Sequence, residues 1–406
     1  MRVSLAVTAG PNEGLTVDFD RHDRFVVGRS ARTSVRFPNK DLYLSRYHFV
    51  LEVNPPLCRV TDLGSRNGTF VNDQRVARAD LRDGDVVRAG HTRFRVAVAQ
   101  HDTDPPAGAV DTIPTGTVIQ TGAGVWPVGG TPGYRIVREV GRGGMGVVYE
   151  AVREADGLTV ALKTFGPHTP PTRKQVDRFR READILHQID HPNVVRYLDS
   201  GEGDGVIWVV LEFVKGTDAA RQVAQKGPMP VAAAVRVAMN VLTGLAHAHG
   251  LGFVHRDVKP SNVMLAELGG RKRGVKLTDF GLARVYEDSR LSGLTLTGDM
   301  GGTPAFMPPE QILDFRNVGP AADVYGTAAT LYYLLSGKFT FDFTEDQVQA
   351  FGLILEGEPV PLRDRRPEVP GALAAVVHQC LAKDPAERVA SAAAFAEELM
   401  AFAGSR

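Results

Sequence analysis

The sequence predicts a multidomain chain: an N-terminal all-β sandwich, a tether, and a larger α+β domain. Three observations carry this reading. Residues 1–99 hold short alternating runs broken by Gly, Pro, Asn and Asp, with no helical stripe. Residues 100–133 are dense in Gly, Pro and Thr and have no period. From residue 134 to 403, strands around a glycine-rich loop give way to apolar spacings of helical type.

The totals set the outer limits. A chain of 406 residues has room for two or three domains. Lys+Arg and Asp+Glu both number 47, and that balance argues against a protein built mainly to hold nucleic acid. Cys58 and Cys380 are the two cysteines, which excludes a disulfide scaffold and CxxC metal sites and fits a reducing cytosol. The opening residues carry too short an apolar run for a signal peptide. No run approaches the roughly 18 apolar residues of a spanning helix, and Ala328–Leu335 comes nearest. A cytoplasmic protein without a membrane span is expected.

In the first domain, runs such as Arg24–Val27, His48–Val53, Gly68–Val71 and Phe94–Val98 read as strands of a sandwich, whose end loops are free to carry a site. Three loop motifs give that site its character: Gly28-Arg29-Ser30, Ser45-Arg46-Tyr47-His48, and Gly64-Ser65-Arg66-Asn67-Gly68-Thr69. A phosphate dianion is met by guanidinium forks and neutral donors, which Arg29, Arg46 and Ser45 supply. Over residues 3–99 the block resembles a forkhead-associated (FHA) domain, a phosphothreonine-binding module. The resemblance implies phosphate contacts at Arg29, Ser45 and Arg46, a peptide-backbone contact at Asn67, and a loop-bracing role for His48. Arg66 stands where that family often has a small hydroxyl residue.

The tether, residues 100–133, reads as disordered by default, with Thr103, Thr112, Thr115, Thr117 and Thr121 exposed and Val125-Trp126-Pro127 a candidate for docking on a neighbour.

The third domain opens with a strand running into Gly141-Arg142-Gly143-Gly144-Met145-Gly146-Val147-Val148, after which a strand resumes. Glycines lacking Cβ let such a loop lie close over phosphates. A helix after the loop would have meant a dinucleotide fold; here the strand Val160-Ala161-Leu162-Lys163 follows. A helical stripe through Val176, Phe179, Ala183 and Leu186 carries Glu182, and residues 208–214 read as a buried strand. The helix with Val235, Met239, Leu242, Ala246 and His249 then leads into the densest stretch. It holds His255-Arg256-Asp257, Lys259, Asn262 and Asp279-Phe280-Gly281. Phosphoryl transfer needs a carboxylate to orient a hydroxyl, a cation near the migrating phosphate, and oxygen ligands for magnesium.

This stretch, with its order and spacing, resembles the catalytic core of eukaryotic-type Ser/Thr protein kinases, and the likeness extends over about residues 134–403. It implies a bilobal protein kinase fold, with ATP and magnesium as cofactors, manganese being an alternative ion. It implies that Asp257 orients the substrate hydroxyl and receives its proton, that Lys259 neutralises the γ-phosphate, and that Asn262 and Asp279 hold the metal. Lys163, paired with Glu182 nineteen residues on, would hold the α- and β-phosphates under Gly141, Gly143 and Gly146. Leu211 would be the gatekeeper, and backbone groups of Glu212 and Val214 would pair with adenine. Val148, Ala161 and Met264 fit either the walls of the adenine site or the core.

Residues 279–310 correspond to the activation segment. Thr295 and Thr297 are the expected phosphosites, and Arg256 the cation for their phosphates. Glu310 is expected to pair with Arg388, and Asp323 to brace the catalytic-loop backbone, although Asp323 also fits a plain helix cap.

The resemblance therefore implies a Ser/Thr protein kinase of bacterial type, possessing a phosphothreonine reader. Its partners would be Ser/Thr-bearing protein substrates and phosphothreonine proteins or its own phosphorylated segments, with dimerisation open. The competing reading is a catalytically dead kinase-fold scaffold that binds phosphopeptides.

Overall fold

The computed structural model describes residues 2–19, 23–37, 41–54, 57–99, 119–121, 124–126, 131–143, 146–165, 177, 185–203, 206–267, 273–280, 304–314, 317–344 and 347–404. The N-terminal sandwich forms from two facing sheets. One is ordered Thr16–Phe19, Arg2–Ala9, Thr92–Ala99, Val86–Ala89, Thr69–Val71, Gln74–Val76. The other is ordered Val35–Arg36, Asp23–Gly28, Phe49–Asn54, Leu57–Asp62, Arg78–Leu81. Alternation does the work in the first sheet: Val3, Leu5 and Val7 face inward to meet Val27, Phe49 and Leu51 of the second. Phe94 fills the centre, with its ring centroid 5.1 Å from Phe37 and 5.8 Å from Phe49.

Strand Phe49–Asn54 breaks the alternation, for its first five residues are all buried. Both of its faces are covered. Phe49, Leu51 and Val53 enter the sandwich core, while Val50 and its register partner Val26 lie in a second apolar cluster with the helical lobe.

The second domain has two lobes. The smaller is an antiparallel sheet ordered Tyr134–Gly143, Gly146–Arg153, Thr159–Phe165, Val206–Glu212, Tyr197–Gly203. Val147, Tyr149, Ala151, Val160, Leu162, Trp208 and Val210 form a cluster on one of its faces. Period two therefore turns Val148, Ala161, Lys163 and Leu211 to the other face.

The larger lobe comprises helices α1 (Ala219–Lys226), α2 (Val231–Gly250), α3 (Pro309–Leu313), α4 (Ala321–Ser336), α5 (Gln347–Glu356), α6 (Leu362–Arg365), α7 (Gly371–Cys380) and α8 (Ala392–Leu399). A small sheet of Gly216–Asp218, Val263–Glu267 and Arg273–Leu277 lies beside them. Local chemistry sets the helix ends. The Asp218 carboxylate accepts from the Arg221 N–H at 2.8 Å to open α1, and Ser391 caps α8 through the Ala394 N–H at 3.1 Å. Helices α2 and α4 supply the lobe's core, with Val235, Leu242 and Leu245 against Val324, Leu331 and Leu335.

Two sequence expectations are corrected here. Within the tether, Ile119–Thr121 and Gly124–Trp126 pair as an antiparallel hairpin. Ile119, Thr121 and Val125 are β-branched, a residue type that favours paired strands. The side chain of Trp126, expected as a docking group, lies outside the described ones. The second correction is α2, which is long and apolar enough to cross a membrane by length and composition, with half of its apolar stretch buried inside the fold. Arg236, Asn240, His247 and His249 amid Ala and Val hid that length from a reading by uninterrupted apolar runs.

Candidate active site

The cleft between the lobes gathers side chains from five separate segments. Lys163 Nζ lies 2.8 Å from Asp279 Oδ1, so the end of a small-lobe strand meets the turn after Leu277. Burial alone pushes the Asp279 carboxyl up, but the Lys163 ammonium, aided by His255 and Lys259, outweighs it and holds the group below the usual carboxylate range. Asp279 therefore stays ionised. Its backbone is left-handed, with φ 62°.

Across the cleft, Lys259 Nζ contacts Asp257 Oδ2 at 2.8 Å. Asn262 Nδ2 donates to the Asp257 carbonyl at 2.8 Å and to its Oδ2 at 3.0 Å. The Asn262 amide thereby spends its donors on Asp257, which leaves its side-chain oxygen as an acceptor. The loop is held from below by Asp323, which accepts from the backbone N–H of His255 at 2.8 Å and of Arg256 at 2.7 Å. Arg256 adopts φ 68°, a strained position for a non-glycine residue. Asp323, 1% exposed, also meets His249 Nε2 at 2.8 Å, and Gln311 Nε2 donates to the Arg256 carbonyl at 2.8 Å.

Val148, Ala161 and Leu211 share one sheet face, and Met264 is half-buried in the small sheet of the other lobe. Leu211 packs into the large apolar cluster with Ala161 and Val214 around its edge. The Glu212 N–H already donates to the Arg196 carbonyl at 2.8 Å, and its carboxylate meets Lys276 Nζ at 2.9 Å. In the glycine loop, Gly146 has φ 149°, and a Cβ there would sit 1.7 Å from the Thr164 carbonyl oxygen. Only glycine lets the returning strand approach so closely.

Glu182 lies outside the described residues, as do Thr295 and Thr297 and most of the basic stretch 269–274. Glu310 and Arg388 are joined by two hydrogen bonds, of 2.6 and 2.7 Å.

The sandwich's loop site is equally organised. The Arg29 N–H donates to the Ser45 carbonyl at 3.2 Å and the Ser30 N–H to the Arg46 carbonyl at 3.0 Å, which ties the first two motifs together. Ser45 Oγ accepts from the Arg66 N–H at 3.0 Å, leaving its hydroxyl hydrogen to donate elsewhere. Asn67 Nδ2 donates to the Tyr43 carbonyl at 2.7 Å. His48 is fully buried: its Nδ1 accepts from the Ser45 N–H at 3.0 Å, so Nε2 carries the proton toward the Gly68 carbonyl at 3.2 Å. Burial pushes the His48 pKa down, which favours this neutral form.

Sequence reasoning missed Asp62. Its carboxylate accepts from the Gly64 and Ser65 N–H groups and from the Ser65 and Thr69 hydroxyls, shaping the third motif. An Asp two and three residues before a Gly-Ser pair is an Asx-turn signal that pointed to it.

A bilobal kinase fold joined to an FHA sandwich is thus in place, and the chain belongs to the protein kinase family. The protein kinase domain model matches residues 134–400, and the FHA domain model matches residues 25–90. The chain is 36% identical over 278 residues to serine/threonine-protein kinase pkn3 of Myxococcus xanthus, covering 66% of this chain and 49% of the relative. It is 35% identical over 269 residues to PknF of Mycobacterium tuberculosis, covering 66% and 56%. The chain thus spans about half the length of these relatives. Among solved structures, the PknI kinase domain of M. tuberculosis superposes with TM-score 0.53 at 28% identity, over 70% of this chain and 99% of that one. Rad53 residues 1–466, solved with AMP-PNP, matches with TM-score 0.54 over 98% of this chain and 99% of its own; at 21% identity it speaks for the fold alone.

Proposed function

We propose that the chain transfers the γ-phosphoryl group of ATP to serine and threonine hydroxyls of proteins, and that its sandwich reads phosphothreonine. The observation that carries the first part is the meeting of Lys163–Asp279 with Asp257–Lys259–Asn262: the Thr278 N–H donates to the Asn262 carbonyl at 2.9 Å, and the Lys259 charge acts on Asp279.

In this reading Asp257 accepts the hydrogen bond of the substrate hydroxyl and takes its proton as the new O–P bond forms and the bond to the departing ADP breaks. Lys259, already in contact with Asp257, places its charge beside the migrating group. Lys163 holds the α- and β-phosphates, with Glu182 as its further partner. Gly141, Gly143 and Gly146 let the loop lie over the phosphates, and Leu211, Glu212, Val214, Val148, Ala161 and Met264 frame the adenine.

Magnesium, when bound, screens the phosphate charge, and Asn262 and Asp279 are the residues that would hold it. They fit: one is an ionised carboxylate and the other a free amide oxygen. Among the described residues no cluster of three or more His, Cys, Asp or Glu forms a cage. That suits an ion that keeps phosphates and waters as most of its ligands. We assign the reaction to the cytoplasm, where ATP is supplied and buried free cysteines such as Cys58 and Cys380 are ordinary.

For the sandwich, Arg29, Ser45 and Arg46 meet the phosphate and Asn67 the peptide backbone. Its ligands are phosphothreonine proteins or the chain's own segments after autophosphorylation at Thr295 and Thr297.

The test is transfer from labelled ATP with magnesium or manganese to generic basic protein substrates. The wild type labels itself or substrate. Asp257→Asn lowers turnover by at least about a hundredfold, the scale of a lost general base, while ATP binding persists. A wild type that transfers nothing overturns the enzyme reading and leaves a phosphopeptide-binding scaffold.

A further inference from the structure

The sandwich does not hang free of the helical lobe. Val26, Val50 and Leu63, with Tyr47 at the edge, pack against Ile312 and Leu313 of α3 and Phe351, Ile354 and Leu355 of α5. Three polar links flank this seam. Arg46 Nη2 meets Glu356 Oε2 at 2.8 Å, Arg32 Nη2 meets Asp384 Oδ2 at 2.6 Å, and Ser34 Oγ donates to the Leu313 carbonyl at 2.8 Å.

The first link is the informative one. Arg46 is one of the two arginines that the phosphothreonine reading assigns to phosphate, and here its guanidinium is engaged by a carboxylate of the other domain. Glu356 is the last residue of α5, where the helix dipole disfavours a negative charge. Arg46 supplies the compensating cation. A phosphate dianion carries more charge and more acceptor oxygens than a carboxylate, and binds a guanidinium fork more strongly.

We propose, resting on that phosphothreonine reading, that Glu356 is an internal competitor for the phosphothreonine pocket. A phosphothreonine segment entering between Arg29, Ser45 and Arg46 takes Arg46 from Glu356 and loosens the sandwich from α5 and α3. Helix α3 begins at Pro309, at the end of the stretch 279–310 that corresponds in sequence to the activation segment, so release reaches the catalytic domain there. Linkage makes the effect reciprocal: what holds the clasp shut weakens phosphopeptide binding.

The ion pair is surface-lying, with side chains 60% and 41% exposed, so its effect is moderate. Removing it tightens peptide binding about two- to fivefold, the range that a surface pair of roughly 0.4–1 kcal/mol corresponds to.

The experiment measures binding of a labelled peptide pool, phosphothreonine flanked by mixed residues, and of its unphosphorylated twin to the full chain. Three proteins are compared: wild type, Glu356→Gln, and Glu358→Gln, which removes an equal charge from an exposed neighbour. The expected result is phospho-dependent binding that tightens in Glu356→Gln and not in Glu358→Gln. In the wild type, the phosphorylated pool also raises amide hydrogen exchange over residues 347–356, a readout that needs no variant. Phospho-dependent binding of equal strength in wild type and Glu356→Gln, or equal tightening in both variants, overturns the competition and leaves the phosphothreonine reading standing. Failure of every protein to prefer the phosphorylated pool overturns that reading itself, and the competition with it.

Discussion

Glu310 and Arg388, far apart in sequence, form a two-pronged ion pair of 2.6 and 2.7 Å in which the arginine side chain has no exposure. The same guanidinium donates to the Ala321 carbonyl at 2.9 Å and to the Ala382 carbonyl at 2.9 Å, and lies 5.0 Å from the Tyr325 ring centroid. One side chain thus ties the start of α3 to the start of α4 and to the turn after α7. Arg388→Met strands a carboxylate and two carbonyls together. A loss of about 3–5 kcal/mol is expected, the usual result of breaking a buried pair from one side. Arg388→Lys keeps the charge but not the fork, so it falls between wild type and Met. Urea denaturation followed by far-UV circular dichroism checks both; a midpoint unchanged in Arg388→Met refutes the argument.

The parts of this fold that were legible in the sequence are those written in contiguous residues. The order Asp257, Lys259, Asn262, Asp279 is local, and its likeness to the kinase catalytic core implied which groups would meet. The alternating run Phe94–Val98 read as a strand, and its Phe94 and Val96 lie in the sandwich core. Contacts between distant segments were not legible. Nothing near Arg46 signals Glu356, and the unbroken burial of Phe49–Val53 is explained only by a second domain lying on Val50. Asp62 was readable in principle, through its Asx-turn spacing, yet its four hydrogen bonds depend on Thr69 returning to the same carboxylate.

Activation-segment phosphorylation is a second expectation. A phosphate at Thr295 or Thr297 adds about −1.5 to −2 charges. Arg256 would receive it; its own backbone is fixed by Asp323, and its Nη2 donates to the Val318 carbonyl at 3.2 Å. Thr295→Ala/Thr297→Ala together should slow substrate phosphorylation at least several-fold, and mass spectrometry of the wild type should find phosphate on that pair. Full activity in the double variant would transfer the role to Ser289 or Ser292.

Lys383 gives a pH signature. Burial lowers its pKa to about 8; Glu358 pulls it up by less, and the like charge of Arg388 adds to the lowering. Its ammonium donates to the Leu353 and Ile354 carbonyls at 3.2 and 2.7 Å, and lies 4.4 Å from the Phe341 ring centroid. Between about pH 8 and the unfolded value of 10.5, the unfolded chain binds the extra proton. Stability therefore rises with pH in that window, by at most about 1.4 kcal/mol per pH unit, and the penalty is fully present below it. Urea midpoints at roughly pH 7.5, 8.5 and 9.5, from just below this window into it, should climb in the wild type. The climb should flatten in Lys383→Met. Parallel profiles in the two proteins would show that another group sets the slope.

The last expectation separates the two sites within one chain. Gly28 ends the strand that delivers Arg29, and a Cβ at Gly28 would lie 2.2 Å from the Arg46 carbonyl oxygen and 3.1 Å from that of Ser45. Those are the two carbonyls that receive the Ser30 and Arg29 N–H groups, so the first two motifs are packed together at the one point where a side chain is missing. Gly28→Ala must push the Ser45–Arg46 loop outward by several tenths of an ångström or more, which stretches both hydrogen bonds. It also tilts Ser45 away from its bond to the Arg66 N–H. Positioned donors lose strength steeply with distance and angle. Phosphothreonine-peptide affinity should accordingly fall about tenfold or more, equivalent to roughly 1.4 kcal/mol. The cleft holding Lys163, Asp257 and Asp279 draws on other segments, so phosphate transfer to a generic basic substrate should hold within about twofold, well under the 1.4 kcal/mol of a tenfold change. Anisotropy with the phosphothreonine pool and a labelled-ATP assay on the same preparation check the two halves. Undiminished peptide binding would mean that the phosphate is not held where these two loops meet.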